Sequence, residues 1–230
     1  MIVGNGMLAT AFRAIESEKT CIYAAGVSNS TCTEDVEFVR ELRLLEKTLE
    51  ANPSDLFVYF STCSIADGAA QDSAYVIHKK RIEELIKSRG NYLLFRLPQV
   101  AGRTSNPNTL LNYLNSRIQQ EATFQIWRNA SRNIIDIDDV VEVAKEIILN
   151  SAKRNQTINI ANSKSVHLLE IIQAFEHLHQ KKAKYSLIDR GVDYKIDVSA
   201  ISDIASTLKI DFENSYLERT IKKYYGQKHK

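Results

Sequence analysis

The chain has 230 residues, of which 44% are hydrophobic and 25% are charged. This length and composition suit one folded core, or one core with a small lobe, and exclude a disordered chain. The formal net charge is only +2, which gives no bulk attraction for a nucleic acid or an anionic membrane. No window approaches twenty apolar residues, no secretory leader precedes the first strand, and three cysteines without CxxC spacing favour neither disulfides nor zinc. We therefore expect a soluble, cytoplasmic protein without a nucleic-acid, membrane or metal partner.

The apolar pattern alternates between short runs and helix-period segments along most of the chain. Strands are predicted at residues 2–3, 21–25, 56–60, 92–95 and 157–160, and helices at 7–15, 34–49, 73–89, 108–117 and 137–150. This alternation predicts an α/β fold with a doubly wound parallel sheet. Later segments are mostly helical, at 168–178, 198–208 and 217–225, which predicts a small lobe. The predicted division is a sheet core of 1–102 and 131–162 and a lobe of 103–130 and 163–230.

A glycine-rich turn joins the first strand to the first helix, in the pattern Gly4-x-Gly6-x-x-Ala9. Gly4 allows a tight turn, Gly6 lets the backbone approach a pyrophosphate, and the small Ala9 lets the helix pack on the strand. The pyrophosphate would lie at the start of the helix, where free amide groups favour negative charge. Glycine turns before helices are also common without a ligand, so this motif gains weight only from its context. The predicted dinucleotide contacts at the turn are Gly4, Asn5, Gly6, Met7 and Leu8.

A hydroxyl, a phenol and an ammonium follow in the next part of the sequence. Tyr75 and Lys79 are four residues apart on a predicted helix, so both lie on one face. A nearby ammonium favours phenolate, so Tyr75 could exchange a proton with a substrate oxygen. Hydroxyl side chains follow a buried strand at Ser61, Thr62 and Ser64, at the strand end where ligands bind in parallel sheets. A YxxxK pair alone arises by chance as a surface pair, but the three features together predict an active site.

This constellation resembles the extended short-chain dehydrogenase/reductase superfamily, the NAD(P)-dependent epimerases, dehydratases and reductases of nucleotide sugars. The resemblance implies a Rossmann-like core with a reduced number of strands, NAD or NADP as cofactor, and a nucleotide-sugar substrate. It also implies that Thr62, Tyr75 and Lys79 are the catalytic residues, with Lys79 reaching the nicotinamide ribose.

Three further segments carry the resemblance. Residues 22–26 resemble the strand that ends beside the nicotinamide ribose, and residues 95–102 resemble the family's RxxxVyG segment near the nicotinamide. Residues 132–140 resemble its R-x-x-x-x-V-x-D-V segment, in which the arginine contacts the diphosphate of the sugar nucleotide. The cofactor contacts implied in this way are Ala24, Ala25, Gly26, Ser61, Tyr75, Lys79 and Pro98, and the substrate contacts are Ser64 and Arg132.

The sequence also departs from the family pattern. Only one helix fits between Phe12 and Cys21, so the family's second and third strands, with the acid that binds the adenosine ribose, are expected to be missing. The first strand then becomes a sheet edge, the adenine pocket is open and the choice between NAD and NADP is not set.

Cys63 stands where related dehydratases carry an acid. We expect it to be a small buried residue rather than a catalytic thiol, which makes dehydration the least expected reaction. His78 lies off the Tyr75–Lys79 face, and we expect it to be solvated or packed.

The leading functional expectation is a nucleotide-sugar reductase or epimerase for surface-polysaccharide biosynthesis, in an assembly for which a homodimer is a candidate. The alternative is a protein of the same fold that binds cofactor or nucleotide sugar without turnover, as a sensor or partner. The missing strands favour this alternative, and the intact Thr62, Tyr75 and Lys79 oppose it. A scaffold that uses only the helical lobe is a third hypothesis.

Overall fold

A computed structural model of the chain describes residues 1–15, 19–53, 55–150, 153–191 and 193–226. The strands are β1 (Ile2–Val3), β2 (Thr20–Tyr23), β3 (Leu56–Thr62), β4 (Tyr92–Leu97), β5 (Gln99–Ala101), β6 (Phe124–Trp127), β7 (Ser131–Arg132), β8 (Ile134–Asp136), β9 (Gln156–Asn159), β10 (Val166–His167) and β11 (Tyr185–Ile188). The helices are α1 (Met7–Ala11), α2 (Asp35–Ala51), α3 (Ala74–Arg89), α4 (Leu110–Gln119), α5 (Ile137–Leu149), α6 (Leu168–His179), α7 (Ser202–Thr207) and α8 (Tyr216–Tyr225). Short 3-10 turns follow α1 (Phe12–Ile15) and β3 (Cys63–Ala66).

The main sheet of the described residues has five parallel strands in the order β1-β2-β3-β4-β9. β1 pairs directly with β2, with Ile2 opposite Ile22, and β2 in turn pairs with β3. The first strand therefore forms the edge of the described sheet, and the predicted reduction in strand number is confirmed. Because all five strands are parallel, their carboxyl ends meet at one edge of the sheet, where ligands bind in this architecture.

Helices cover both faces of the sheet, which confirms the doubly wound fold. On β3, Val58 and Phe60 belong to the core that also contains Val140 of α5. Phe57 and Tyr59, which alternate with them, belong to the core that also contains residues of α2 and α3. The period of two along the strand therefore divides the apolar side chains between two helical layers.

The buried face of α2 differs from the one that its hydrophobic spacing predicts. Val36 is 69% exposed and Val39 is 43% exposed, whereas Glu41, Leu45 and Thr48 are buried. Periodicity favours a valine over a glutamate on the inner face, because a buried carboxylate is costly unless it is paired. Partners for Glu41 on three other segments, described below, supply this compensation, while Leu42, Leu45 and Leu49 of the predicted stripe still pack on the core.

A second, smaller apolar core lies in the predicted lobe. It joins α4, α6 and α8 to β6 through residues that include Leu114, Phe124, Ile171 and Ile221. Two-stranded ladders of β6 with β11 and of β7 with β10 complete this region. Ile201, just before α7, instead packs into the sheet core. Residues 192 and 227–230 of the predicted lobe lie outside the described residues, and the division into core and lobe stays a prediction.

Two further observations concern the state of the cysteines and the possibility of a membrane-spanning helix. Cys21, Cys32 and Cys63 are all buried free thiols. In the described part of the chain, no helix combines the length and apolarity needed to cross a bilayer.

Candidate active site

A cavity of about 700 Å³ opens at the carboxyl ends of the first four sheet strands. This volume lies within the range that ligand and cofactor pockets occupy. Every residue that the sequence assigns to the site lines this one cavity: Gly4, Asn5, Gly6, Met7, Leu8, Ala24, Ala25, Gly26, Ser61, Thr62, Ser64, Tyr75, Lys79, Pro98 and Arg132. The structure thus brings together residues from six separate segments of the chain, and their roles toward ligands stay predictions.

The glycine turn passes unusually close to the end of β2. Gly4 has a φ of +123°, and a Cβ at this position would lie 2.5 Å from the carbonyl oxygen of Ala24, so only glycine fits. At Gly6 an added Cβ would meet nothing within 4 Å, which shows open space beside the turn. The first N–H groups of α1, which begins at Met7, have no acceptor within the helix. The turn therefore offers both the room and the donors that a phosphate group requires.

Tyr75 and Thr62 meet where α3 begins and β3 ends. The Ser73 hydroxyl caps α3 by accepting from the N–H of Val76, which fixes Tyr75 in the first turn. Thr62 and Tyr75 line the same cavity, and both residues are buried. Burial raises the pKa of Tyr75 well above its ordinary value, the nearby Glu41 raises it further, and the Thr62 hydroxyl only partly opposes this. Tyr75 is therefore a phenol at neutral pH, and the expectation that Lys79 favours its phenolate is wrong for this structure.

The Lys79 side chain is buried in an ion pair, so its ammonium does not offset the effect of burial on the pKa of Tyr75. Its Nζ lies 3.0 Å from Oε1 of Glu41 and donates to Oη of Tyr59 over 2.7 Å. The same Nζ lies 5.7 Å from the centroid of the Tyr75 ring. Lys79 thus reaches the cavity as half of a neutral pair rather than as an isolated cation.

Glu41 gathers donors from several elements although it is completely buried. Oε2 accepts from the N–H of Val27 at 2.7 Å and lies 3.0 Å from Nε2 of His78, and Oε1 accepts from Oη–H of Tyr59 at 2.6 Å. Burial alone would raise the pKa of Glu41, but the Lys79 charge and these hydrogen bonds lower it to about 2. Burial lowers the pKa of Lys79, and the Glu41 carboxylate opposes that change. Glu41 is therefore ionised at neutral pH and balances the ammonium.

His78 has a defined role in this cluster. It is buried, stacks on Phe38 with ring centroids 4.6 Å apart, and contacts Glu41. Of the two sequence interpretations, packing is confirmed and solvation is wrong. Its position off the Tyr75–Lys79 face is what lets it approach the carboxylate from a different side.

Ser61 and Cys63 are both engaged by the protein itself. The Ser61 hydroxyl donates to Oε1 of Glu83 at 2.6 Å, and Arg96 donates to both oxygens of that carboxylate. The Cys63 thiol donates to the carbonyl oxygen of Arg96, and burial raises its pKa to about 12. A thiol that stays protonated is a poor nucleophile, so the expected small buried residue is confirmed.

The substrate side of the cavity is polar and is lined by residues that the sequence motifs do not reveal. Arg132, on β7, donates one N–H to the carbonyl oxygen of Ser131 at 2.8 Å, and its guanidinium makes no other hydrogen bond within the described part of the chain. Tyr194, from the loop before α7, lines the same cavity as Ser64. Its distance in sequence from every motif explains why it is missed, since only the folded loop brings it there.

Comparisons with known proteins identify the family of the chain and its structural relatives. Residues 20–161 match the sequence model of the NAD dependent epimerase/dehydratase family. Because this match covers more than half of the chain, the chain belongs to that family, an NAD-dependent class of short-chain dehydrogenase/reductase type. No curated protein matches the sequence significantly.

Solved structures share the fold at low sequence identity. UDP-glucuronic acid 4-epimerase from Bacillus cereus, in complex with UDP-glucuronic acid and NAD, superposes with a TM-score of 0.71 at 18% identity, covering 95% of this chain and 76% of that one. RMD from Pseudomonas aeruginosa, complexed with NADPH, gives 0.65 at 16% identity, covering 89% and 79%. dTDP-glucose 4,6-dehydratase from Bacillus anthracis, in complex with NAD, gives 0.67 at 14% identity, covering 95% and 76%. These likenesses establish the fold.

The family's cofactor, NAD or NADP, fits part of the cavity closely. The space beside Gly6 and the free amides of α1 suit a pyrophosphate, and the Lys79–Glu41 pair lines the same cavity. The adenosine side is different, because β2 ends in Ala24 and Ala25 and no described strand lies outside β1 to supply an acid. The residues present fit the nicotinamide and pyrophosphate portions of the cofactor and leave the adenosine portion less enclosed.

Proposed function

We propose that this protein is an NAD(P)-dependent nucleotide-sugar reductase or epimerase of surface-polysaccharide biosynthesis. The supporting observation is that one cavity contains the glycine turn, Thr62, Tyr75, Lys79 and Arg132. The fold likeness to an epimerase that binds UDP-glucuronic acid favours a nucleotide sugar as substrate. The polysaccharide pathway, a cytoplasmic location and a homodimer come with the proposal as predictions.

When bound, the nicotinamide cofactor supplies hydride transfer to or from a sugar carbon. Tyr75 exchanges the proton on the reacting oxygen, and Thr62, which lines the same cavity as Tyr75, holds that oxygen. The Lys79 ammonium has three donors and bonds to Tyr59 and to both carboxylate oxygens of Glu41. A ribose hydroxyl would replace the longest of these bonds, the one to Oε2 of Glu41 at 3.4 Å. Arg132 binds the diphosphate through its remaining N–H groups.

A second candidate is a protein that binds the cofactor or the nucleotide sugar without turnover. Two observations favour it: β1 is the outermost described strand, and Glu41 rather than solvent faces the Lys79 ammonium. Such a protein would act as a sensor or as a partner of another enzyme. It differs from the enzyme in one measurable respect, because binding would occur without chemistry.

The test is a screen of UDP-, GDP-, CDP- and dTDP-linked 4-keto sugars with NADH and NADPH, read as cofactor oxidation. Alcohol forms of the same sugars are assayed for epimerisation. Tyr75→Phe removes the proton donor and should abolish turnover while keeping cofactor binding, measured by fluorescence titration. Tyr185→Phe, a half-exposed tyrosine of β11 outside the cavity, is the matched control and should keep both. Binding without turnover in the wild type would favour the second candidate, and no binding would reject both.

A further inference from the structure

Glu41 belongs to no sequence motif, yet it is the most heavily engaged side chain of the site. It lines the cavity together with Lys79 and Tyr75, and its carboxylate is held by Lys79, Tyr59, His78 and the backbone of Val27. These partners come from β3, α3 and the loop after β2, so the carboxylate has one fixed position. A buried charge with this many donors is placed by the fold and not by solvent.

The position of the Glu41 carboxylate changes the electrostatic effect of Lys79 on the ionisation of Tyr75. An isolated ammonium beside a phenol stabilises the phenolate. The Glu41 carboxylate lies 3.0 Å from the Lys79 ammonium, and its negative charge opposes the effect of that ammonium at Tyr75. The other ionisable groups near Tyr75 in the described residues are two cysteines and a tyrosine: Cys63 from the turn after β3, Cys32 from the loop before α2, and Tyr59 from β3. All three are neutral when protonated and would repel a phenolate once ionised, so they do not replace the lost positive charge.

Resting on the proposed function, we propose that Glu41 is a positioning residue that neutralises Lys79, keeps Tyr75 as a proton donor and makes the site a reductase of nucleotide-linked keto sugars. A phenol can donate a proton to a developing alkoxide. It cannot accept one from a sugar alcohol, which is the first step that an epimerase requires.

The reduction balances with a reduced nicotinamide dinucleotide as co-reactant. A hydride leaves C4 of the nicotinamide and forms a C–H bond at the carbonyl carbon, while the C=O π bond breaks. The carbonyl oxygen takes the proton from Oη of Tyr75, so the keto group is reduced to an alcohol and the nicotinamide is oxidised. The Tyr75 phenolate then recovers a proton from solvent.

The direct test measures the ionisation of Tyr75 without any ligand. The protein is labelled with tyrosine carrying ¹³C at Cζ, and the Tyr75 signal is assigned as the one missing in Tyr75→Phe. In the wild type this signal should stay at its phenol position from pH 6 to 9. In Glu41→Gln, which keeps the shape and removes the charge, it should titrate at least one pH unit lower than in the wild type. Glu46→Gln, an exposed residue of the same helix, should leave it unchanged.

A kinetic arm separates this role from a purely structural one. With the substrate found in the screen, keto reduction should be flat near neutral pH, and oxidation of the product alcohol should rise about tenfold per pH unit. In Glu41→Gln the oxidation limb should move to lower pH, and Glu41→Asp should restore the wild-type limb. A structural role alone would lower both directions equally and leave their pH dependence unchanged, which would overturn the proposal.

The outcomes separate this inference from the proposed function. A Tyr75 signal that titrates below pH 8 in the wild type overturns the role of Glu41, and this measurement remains decisive if Glu41→Gln does not fold. Fast epimerisation at pH 7 overturns the assignment as a reductase while the enzyme proposal stands. The absence of cofactor binding in the fluorescence titration overturns the proposed function, even where the NMR titration gives the expected result.

Discussion

Gly26 lies directly against the buried ion pair, because a Cβ at this position would lie 2.7 Å from Nζ of Lys79 and 2.9 Å from Oε1 of Glu41. The requirement for glycine here comes from close packing on two charged groups. The sequence predicts Gly26 as a cofactor contact, and the structure adds that it makes room for the pair that lines the cavity. A methyl group added at Gly26 would test its packing against both Lys79 and Glu41.

Gly26→Ala should displace Lys79 and Glu41 from their present positions. Overpacking of a filled site costs about 1–3 kcal/mol, so we expect the free energy of unfolding in urea to fall by about that amount. Cofactor affinity should fall roughly tenfold, equivalent to about 1.4 kcal/mol, since the ammonium moves. Gly68→Ala is the control, because a Cβ at Gly68 meets nothing within 4 Å. Equal effects of the two substitutions would contradict the packing argument.

The sequence predicts the lining of the cavity better than it predicts the contacts within it. The glycine turn, Thr62, Tyr75 and Arg132 occupy positions fixed by strand ends and helix starts, and these are visible in hydrophobic patterns and local motifs. Glu41 is different: its burial depends on partners 14 to 38 residues away, which no local pattern encodes.

Glu41 should also make stability depend on pH in a defined window. Its pKa is about 2 in the folded protein against an ordinary value of 4.5, so its stabilising contribution is complete above pH 4.5 and is lost as the pH falls toward 2. A difference of this size corresponds to about 3 kcal/mol. Urea unfolding between pH 6 and 3 should show the stability gap between wild type and Glu41→Gln shrinking as the pH falls. A constant gap would be inconsistent with this prediction, and Glu46→Gln should show no gap.

Arg132→Gln should weaken binding of the nucleoside diphosphate part of the substrate and leave cofactor affinity unchanged. A hydrogen bond to a charged group contributes about 1.5–3 kcal/mol, which predicts roughly a tenfold to hundredfold rise in the Kd of the nucleoside diphosphate, measured by calorimetry. Arg128→Gln is the matched control on the preceding strand connection, since Arg128 is exposed and pairs with Asp189. A similar loss in both variants would point to general charge rather than to a site.

The adenosine half of the cofactor should contribute little to binding, because β1 is the outermost described strand and β2 ends in small apolar residues. NADH should therefore bind within about tenfold of reduced nicotinamide mononucleotide, a difference below about 1.4 kcal/mol. Fluorescence titration of the two ligands measures this directly. A Cβ at Gly6 meets nothing within 4 Å, so Gly6→Val extends an apolar side chain into the open space beside the turn. It should weaken both ligands alike if both bind there. Binding of NADH more than a hundredfold tighter than the mononucleotide would contradict this prediction. It would mean that the protein encloses the adenosine with residues other than a strand outside β1.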